Sequence, residues 1–412
     1  MDFDLPPDDD NRRLAVRAWL REHPTPSDHE LADAGFVAPH WPRPYGIDAD
    51  PIHQLIIDDE LARGGVDLPY NPIGVGWAGP TILFAGTDEQ KARYLPPMLS
   101  GAEFWCQLFS EPDAGSDLAS LSTSAVRDGD VYVVNGSKIW TSSGHRAQFG
   151  ILIARTNPDV AKHRGVSYFV CPMDLPGITI TPIIDMTTAH SFNQVFFDDV
   201  RLPVDCLVGD EGDGWRLAKV TLGNERVSLS GGGALWGEGP SADDLVSLAR
   251  VNGGIADPVV RQRAAQLTMN AKVLDLIRLR TLTAAVKGAE PGAEASVRKA
   301  LADEHGQDIM ALAQDLAGAS AMLAGAGPPG TLHGSSARGT TDMNIVGLPG
   351  VEAVWQYGFL FSPALTIGGG TFAVQRNIIG ERVLGLPHDI DVNKGATWAQ
   401  TRGSVARSTP TA

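Results

Sequence analysis

Apolar residues recur every three or four positions through the N-terminal quarter of the chain, a spacing typical of amphipathic helices. The pattern runs from Asn11 to about Leu99, and the Pro- and Gly-containing stretch 69–79 is expected to be a loop within it. We therefore predict an α-helical domain over residues 1–102. The apolar positions that indicate it are Leu14, Val16, Trp19 and Leu20 in one segment and Leu55, Ile56, Ile57 and Leu61 in another.

Short runs rich in β-branched and aromatic residues replace this pattern near Phe104. Gly, Asp or Pro bounds each run, as expected for short strands joined by turns. The sequence Asp128-Gly-Asp predicts a hairpin, and Asn135-Gly136 predicts a turn at the end of the strand that follows. Residues 103–213 are therefore predicted to form a β-barrel or a sandwich. The predicted strands lie at 131–134, 151–154, 168–171, 178–180 and 194–197.

Helical spacing returns after Gly214 in long segments rich in Ala and Leu. Segments of this length suit an antiparallel bundle, which we predict over 214–387. The stretch 326–349 is rich in Gly, Pro, Ser and Thr and is expected to be a long loop, and residues 388–412 are expected to form a polar, mobile tail. The predicted helices are 214–236, 258–286, 296–323 and a last one that begins near Gly370.

Charge and composition argue against several classes of protein. A net charge of −16 and a pI near 5.0, without a basic stripe, argue against nucleic acid as a general partner. No run of about 18 apolar residues is present, so we expect no transmembrane helix. The acidic N-terminus lacks the features of a signal peptide, and a cytoplasmic location is expected. The scattered Cys106, Cys171 and Cys206 suggest neither a disulfide framework nor a metal site.

One carboxylate stands out at the start of the C-terminal helices. The apolar stripe of segment 214–229 places Glu225 beside the buried face. A carboxylate is costly in such a place unless it is paired or used in chemistry. Spacing alone allows two interpretations: an ion pair, with Arg226 or with a neighbouring helix, or a general base. The stripe consists of Leu217, Val220, Thr221 and Val227.

Two further stretches suit a flat heteroaromatic ligand. The first, Gln107-Leu-Phe-Ser-Glu-Pro-Asp-Ala-Gly-Ser-Asp117, ends a strand with a turn whose N–H and hydroxyl groups suit a phosphate or a ring edge. The second, Lys138-Ile-Trp-Thr-Ser-Ser-Gly144, adds a large aromatic residue followed by hydroxyls. An ordinary turn and a core Trp remain the alternatives at these two places.

Four motifs, taken in their order and spacing, resemble those of the acyl-CoA dehydrogenase family of flavoproteins. The resemblance extends from about residue 10 to Pro387. It implies an α+β protein with a helical N-terminal domain, a middle β-barrel and a C-terminal four-helix bundle, in agreement with the periodicities. It also implies that FAD lies between the barrel and the bundle. The motifs lie at 110–117, 139–144, 195–203 and 369–387.

The resemblance assigns site residues by position. Ser116 matches a contact to the CoA thioester ligand, and Thr371 matches a contact to the adenine-nucleotide half of FAD. The positions that match flavin contacts are Gln107, Phe109, Ser110, Trp140 and Ser142. No metal site is implied.

Three positions depart from the family pattern. Many members carry their catalytic Glu where this chain has Gly369, whereas one branch places it at the position of Glu225. The resemblance therefore implies Glu225 as the base, with Arg226 beside it and the Gly369 main chain serving the substrate. Arg250 keeps the Arg of a stretch that reaches the FAD diphosphate of a neighbouring subunit, but the Phe of that stretch is lost, so Arg250 is either an FAD contact or a surface residue. Ala373 replaces a polar residue on the adenine side.

The activity implied is FAD-dependent α,β-dehydrogenation of an acyl-CoA to the 2,3-enoyl thioester, with electrons passed to an electron-transfer flavoprotein, as in fatty acid degradation. The alternatives are a flavin oxidase or monooxygenase, a dehydrogenase of carrier-bound acyl groups, and a non-catalytic subunit of a heteromer. A strongly apolar run after Thr371 predicts oligomerisation, by default a homotetramer, with a heteromer as the alternative. The sequence does not identify the acyl group, but Trp236, glycines 231–233 and the loop around residues 70–77 are candidates for its pocket wall. For the glycines, a helix break is the alternative.

Overall fold

The computed structural model describes residues 6–228, 234–236, 239–287, 292–322, 353–390, 393 and 395–405. The chain divides into two compact units. The helical unit consists of Met1–Tyr70, Met186–Ala189 and Glu225–Leu386, and the sheet unit consists of Asn71–Asp185, His190–Asn224 and Pro387–Ala412.

Three helices open the helical unit, as the apolar spacing predicts. Each begins after a residue whose side chain accepts a helix N–H: Asp10, Ser27 and Asp50. Arg13 of the first helix is 2% exposed and donates to Glu60 of the third, so a buried ion pair ties these two helices together. The helices are α1 (Asn11–Glu22), α2 (Asp28–Asp33) and α3 (Pro51–Arg63).

The predicted C-terminal helices are present, with different ends. The helix expected at 214–236 ends at Ser228, residues 229–233 lie outside the described residues, and 234–236 form a turn. The helix expected at 296–323 ends earlier, at Ala317, and the loop expected at 326–349 lies outside the described residues. Two helices, Ala242–Val251 and Ala353–Phe361, were not predicted. The bundle helices are α6 (Gly214–Ser228), α7 (Ala242–Val251), α8 (Pro258–Val286), α9 (Ala295–Ala317), α10 (Ala353–Phe361) and α11 (Phe372–Ile378), numbered after two helices of the sheet unit.

Those two helices precede the strands of the sheet unit: α4 (Gly79–Ala85) and α5 (Asp88–Leu99). The loop expected at 69–79 is wrong in part, because Gly74–Ala78 forms a π-helical turn that leads into α4. Asn71 stabilises this start of the unit: its side-chain amide donates to Met98 O and Glu103 O, and its oxygen accepts from Trp105 N. Such bonds to distant main-chain groups compensate for backbone that is not in regular structure.

The strands form one sheet with the order β6-β7-β3-β2-β4-β5-β8, and β1 pairs with β4. Their inward side chains share one apolar core, which includes Tyr132, Phe169, Val195 and Leu202. All five predicted strands and the hairpin at Asp128-Gly-Asp are confirmed. The described strands are β1 (Trp105–Leu108), β2 (Ser124–Asp128), β3 (Val131–Ser142), β4 (Phe149–Arg155), β5 (Val166–Pro172), β6 (Ile178–Ile183), β7 (Phe192–Pro203) and β8 (Leu207–Val208).

The turn expected at Asn135-Gly136 is wrong: β3 continues through it with a shift in register. The Asn135 side chain donates to Asp199 Oδ1 and accepts from Asp199 N, both at 2.9 Å, which holds the irregularity against β7. Gly136 has a φ of 143°, and an added Cβ would lie 2.7 Å from Thr123 Cα. Here Asn-Gly makes a β-bulge because a neighbouring strand is available to pair beyond it.

The tail beyond Pro387, expected to be mobile, contains a helix among its described residues. Residues Trp398–Val405 form helix α12, and Trp398 N donates to Val160 O at 2.8 Å. The Trp398 ring lies under the Arg155 guanidinium, 4.4 Å from ring centroid to Cζ, a cation–π contact. Within the described part of the chain, every helix is too short or too polar to cross a membrane.

Candidate functional site

The two predicted flavin motifs lie side by side in the sheet unit. Ile139 N donates to Ser110 O at 2.8 Å, which joins the end of β3 to the turn after β1. Lys138, which is 0% exposed, donates to Phe109 O at 3.0 Å and to Glu111 Oε1 at 2.9 Å. The two motifs, which lie apart in the sequence, are thus in direct contact in the fold.

The buried ion pair between Lys138 and Glu111 holds the turn at residues 109–111. Glu111 also accepts the main-chain N–H groups of Ser122 at 2.6 Å and Thr123 at 2.9 Å. Burial by itself would raise the pKa of Glu111, but Lys138 and these donors outweigh it and hold the pKa below its usual value. Burial lowers the pKa of Lys138, and Glu111 opposes that shift. The pair is therefore satisfied on both sides and fixes residues 109–111.

Trp140 is not a core residue, which excludes the alternative left open by the sequence. Its side chain is 57% exposed, and its φ of 59° lies at a shift in register between β3 and β7. The Phe192 ring lies edge to face with it at 6.0 Å. Ser143, three residues further, has a φ of 52°. These residues adopt sparsely populated backbone conformations, which often occur at functional sites. An exposed aromatic ring beside hydroxyl groups fits the binding of a flat ring.

The other predicted residues of the sheet unit differ in exposure. Gln107, Ser110 and Ser142 are half-buried, and Ser116 is exposed on the turn that follows. The side chain of Phe109 is buried and packs edge to face on Tyr168 at 6.1 Å, so its predicted flavin contact stays a prediction. Any contact that Phe109 makes with a flavin would therefore come from its backbone.

Helix α6 is anchored by a buried hydroxyl cluster one turn before Glu225. Thr221 Oγ1 lies 2.8 Å from Thr81 Oγ1 and 3.0 Å from Tyr168 Oη, and all three residues are 0% exposed. Its hydroxyl also donates to Leu217 O, which satisfies it inside the core. The buried face predicted for this helix is confirmed at Thr221 and at Glu225, which is 6% exposed.

In the helical unit, one cation, Lys299, interacts both with Glu225 and with the turn at 365–371. Lys299 on α9 interacts electrostatically with Glu225. Its ammonium donates to Leu365 O at 3.0 Å and to Gly368 O at 3.1 Å. The ion pair expected for Glu225 with a neighbouring helix thus has a candidate partner. Arg226 lies on α6, but its side chain is outside the described residues.

The turn at 365–371 has an unusual backbone at the glycines. Gly369 has a φ of 68° and Gly370 a φ of 89°, which L side chains rarely adopt. The amide of Gln375 donates to Gly369 O at 2.9 Å and to Gly370 O at 3.2 Å. Thr371 caps α11, since its hydroxyl accepts from Val374 N at 3.3 Å. The predicted FAD contact at Thr371 thus lies at a helix N-terminus, two residues after Gly369.

Trp236 lies beside the same turn. Its ring is edge to face with Phe361 at 5.3 Å, and a Cβ added to Gly368 would lie 2.5 Å from Trp236 Cζ2. This position suits the pocket wall expected of it, whereas the glycines at 231–233 lie outside the described residues. Arg250 is exposed on α7. This exposure agrees with both interpretations, a surface residue and a contact to the FAD of a neighbouring subunit.

Near the site, sequence reasoning missed the buried pairs Lys138–Glu111 and Lys299–Asp303. Lys138 occupies an inward position of an alternating strand, where a cation needs a partner. Lys299 and Asp303 are four residues apart on a helix whose other buried positions include Ile309. A charge pair on an apolar helix face was a signal for the second pair.

Three family models match the chain in order along its length. The model described as "Acyl-CoA dehydrogenase, N-terminal domain" matches residues 11–102. The corresponding middle-domain model matches 106–200, and the C-terminal-domain model matches 212–384.

Named relatives agree with these matches. The chain is 42% identical over 358 residues to "Acyl-CoA dehydrogenase FadE34" of Mycobacterium tuberculosis, a match that covers 87% of this chain but only 45% of that protein's length. It is 37% identical over 376 residues to "Acyl-CoA dehydrogenase IpdE1" of the same organism, covering 90% of this chain and 88% of that protein. The solved structure titled "Tcur3481-Tcur3483 steroid ACAD" is 28% identical, with a TM-score of 0.72, and the match covers 94% of this chain and 100% of that one.

Proposed function

The chain belongs to the acyl-CoA dehydrogenase family of oxidoreductases, and from that premise we propose that it dehydrogenates the α,β-bond of an acyl-CoA with Glu225 as the base. The cofactor is FAD, and the residues of the sheet unit fit it. Trp140 presents a flat exposed ring, and the turn fixed by Lys138 places Ser110 beside the strand that carries Ser142.

The observation that carries the proposal is the placement of Glu225. It is a buried carboxylate whose electrostatic partner, Lys299, also bonds Gly368, the residue before the position at which many members carry the base. This arrangement supports the idea that both positions serve one cavity. A buried carboxylate beside a cation can remain ionised and still accept a proton in a water-poor site.

In the proposed reaction, the α-proton passes to the Glu225 carboxylate. The β-hydrogen leaves with its electron pair as hydride, and a 2,3-double bond forms in the thioester. FAD, when bound, supplies the acceptor for that hydride. The Gly369 N–H stabilises the charge that develops on the thioester oxygen, a contribution of the kind that donors in oxyanion holes make. The electrons then leave to an electron-transfer flavoprotein.

We propose a bulky, polycyclic acyl group as the substrate class. The solved structure titled as a steroid ACAD supports this, as does the large Trp236 ring packed at Gly368, where it can line a wide apolar wall. The proposal is tested by mixing anaerobic FAD-loaded protein with a panel of acyl-CoAs and following the loss of flavin absorbance. Steroid side-chain CoA thioesters are expected to bleach the flavin at least tenfold faster than straight-chain acyl-CoAs of equal side-chain length.

Absence of bleaching by every acyl-CoA would contradict the dehydrogenation. Faster bleaching by the straight chains would contradict the substrate class alone. Admission of air after bleaching separates an oxidase, whose flavin colour returns rapidly without another acceptor, from the proposed dehydrogenase.

A tetramer is the proposed assembly, made of identical chains or with a second subunit of the family. The end of the apolar run after Thr371 is exposed in the isolated chain, with Leu384 66% and Leu386 56% exposed, and so is the face of α8 that carries Met269 and Val273. Surface of this kind is normally covered in a partner interface. Light scattering of the FAD-loaded protein is expected to give about four times the chain mass, and a stable monomer would contradict the assembly.

A further inference from the structure

Lys299 makes hydrogen bonds to which the reaction as described assigns no task. Its side chain is 0% exposed, and its acceptors are Asp303 Oδ2 at 2.5 Å, Leu365 O at 3.0 Å and Gly368 O at 3.1 Å. An ammonium group has three N–H donors, so each donor has an acceptor. A buried charge in a helical bundle with every donor used in this way fixes the groups that it binds.

Burial acts against both charges of the pair. It lowers the pKa of Lys299 and raises the pKa of Asp303 to about 6, and their mutual attraction opposes both shifts. The Lys299 ammonium and the Asp303 carboxylate are in direct contact, as in an ion pair. Apolar residues of similar volume often stabilise a core as well as a buried ion pair does. Stability alone therefore gives little reason for this pair.

When Lys299 binds the carbonyl oxygen of one residue, it also fixes the direction of the N–H group of the following residue. In a planar trans peptide, the C=O of one residue and the N–H of the following residue point in opposite directions. With Gly368 O bonded to Lys299, the Gly369 N–H points away from Lys299. Gln375 binds Gly369 O and directs the Gly370 N–H in the same manner.

The turn needs such ties because three successive residues are glycines. Glycine 368, 369 and 370 have no side chains to restrict the backbone, and the latter two adopt positive φ values of 68° and 89°. Without the bonds to Lys299 and Gln375, the peptide groups could rotate among several directions. A donor that must meet a developing charge loses most of its effect when it is not preorganised.

We propose that Lys299 is a positioning residue: held by Asp303, it fixes the Gly368 carbonyl and thereby aims the Gly369 N–H at the thioester oxygen of the substrate. The same ammonium also interacts electrostatically with Glu225, whose negative charge favours the protonated form of Lys299 and acts to raise its pKa. The other carboxylates that act on this pair are Asp303 itself and, through Asp303, Glu304. This inference rests on the dehydrogenation proposed above.

The test uses the FAD-loaded protein with Lys299→Met combined with Asp303→Leu, which removes both charges and leaves neither one buried alone. Amide hydrogen exchange of peptides that cover 365–371 is expected to be at least tenfold faster than in the wild type. The control is Arg13→Met combined with Glu60→Gln, which removes a similarly buried pair from α1 and α3. The control is expected to leave exchange at 365–371 unchanged. Lys299→Gln, whose amide is too short to bind both carbonyls, serves if the double variant does not fold.

A second readout tests the aim of the Gly369 N–H. Affinities are measured for the acyl-CoA that bleaches the wild-type flavin and for its thioether analogue, in which CH₂ replaces the thioester carbonyl. The variant is expected to lose about tenfold in affinity for the thioester and to keep its affinity for the thioether, since only the thioester offers an oxygen to the N–H.

The outcomes separate the inference from the proposed function. Unchanged exchange at 365–371 would overturn the positioning role, whatever the substrate is. Equal loss of both affinities would reduce Lys299 to a structural residue and also overturn it. A wild-type protein that no acyl-CoA bleaches would instead refute the dehydrogenation, and the exchange measurement would still decide whether Lys299 fixes the turn.

Discussion

Flavin reduction by an active acyl-CoA is expected to be slower by about a thousandfold or more in the Glu225→Gln variant, as for the loss of an essential general base. Such a factor corresponds to roughly 4 kcal/mol in the activation free energy. Gln keeps the shape of the side chain and its capacity for hydrogen bonds, so the buried site should stay intact. The substrate should therefore still bind and perturb the flavin spectrum. Anaerobic stopped-flow absorbance measures both effects in one experiment.

A matched control is Glu60→Gln, which also places an amide at a buried carboxylate of the helical unit, 3% exposed compared with 6% for Glu225. It is expected to reduce stability without a large effect on the reduction rate. A Glu225→Gln protein that is reduced at nearly the wild-type rate would end the assignment of the base.

Transfer of the carboxylate to the other position is expected to recover little activity. The test combines Glu225→Gly with Gly369→Glu. Gly369 has a φ of 68°, where a residue with a Cβ is strained by about 1 kcal/mol or more. The new side chain would also disturb the turn that Lys299 and Gln375 fix. The single substitution of Glu225 is therefore the decisive test of the base.

Among these substitutions, loss of the Lys138 cation is expected to cause the largest combined decrease in FAD binding and in stability. In Lys138→Met, Glu111 remains buried without its cation, and Phe109 O loses its donor. Removal of one partner from a buried pair costs roughly 3–5 kcal/mol in the free energy of unfolding. The turn at 109–111 would no longer be held, so the FAD content of the purified protein should fall as well. Chemical denaturation and the ratio of flavin to protein absorbance measure the two effects.

Glu111→Gln in the same chain is the compensating change. Its amide oxygen can still accept the N–H of Ser122 or Thr123, and no charge is left buried. The double variant is expected to recover at least half of the lost stability. If Lys138→Met alone were as stable and as yellow as the wild type, the pair would have no part in holding the flavin turn.

The sequence by itself determined the features that depend on neighbouring residues. Apolar spacing located the long helices, with Pro258–Val286 found at both ends, and short runs of β-branched and aromatic residues bounded by turns located the five strands. Motif order and spacing indicated the flavin residues, and the apolar stripe of α6 indicated that Glu225 is buried, which the structure confirms. The apolar and β-type patterns act over a few residues, so they can be read without the rest of the fold, whereas the flavin residues come from the family resemblance and stay predictions.

Only the tertiary structure decided the features that depend on distant residues. Asn135-Gly136 is a bulge rather than a turn because Asp199, 64 residues away, binds the asparagine side chain. Lys138 can be buried because the fold brings it Phe109 O and the Glu111 carboxylate, which follow the end of another strand. Lys299 can be buried because the fold brings it Leu365 O, from a residue 66 positions further along the chain. A lysine has the same local pattern whether its acceptors are water or carbonyl groups. Its role is set by the groups that the fold brings to it, since burial is affordable for a cation only where acceptors replace water.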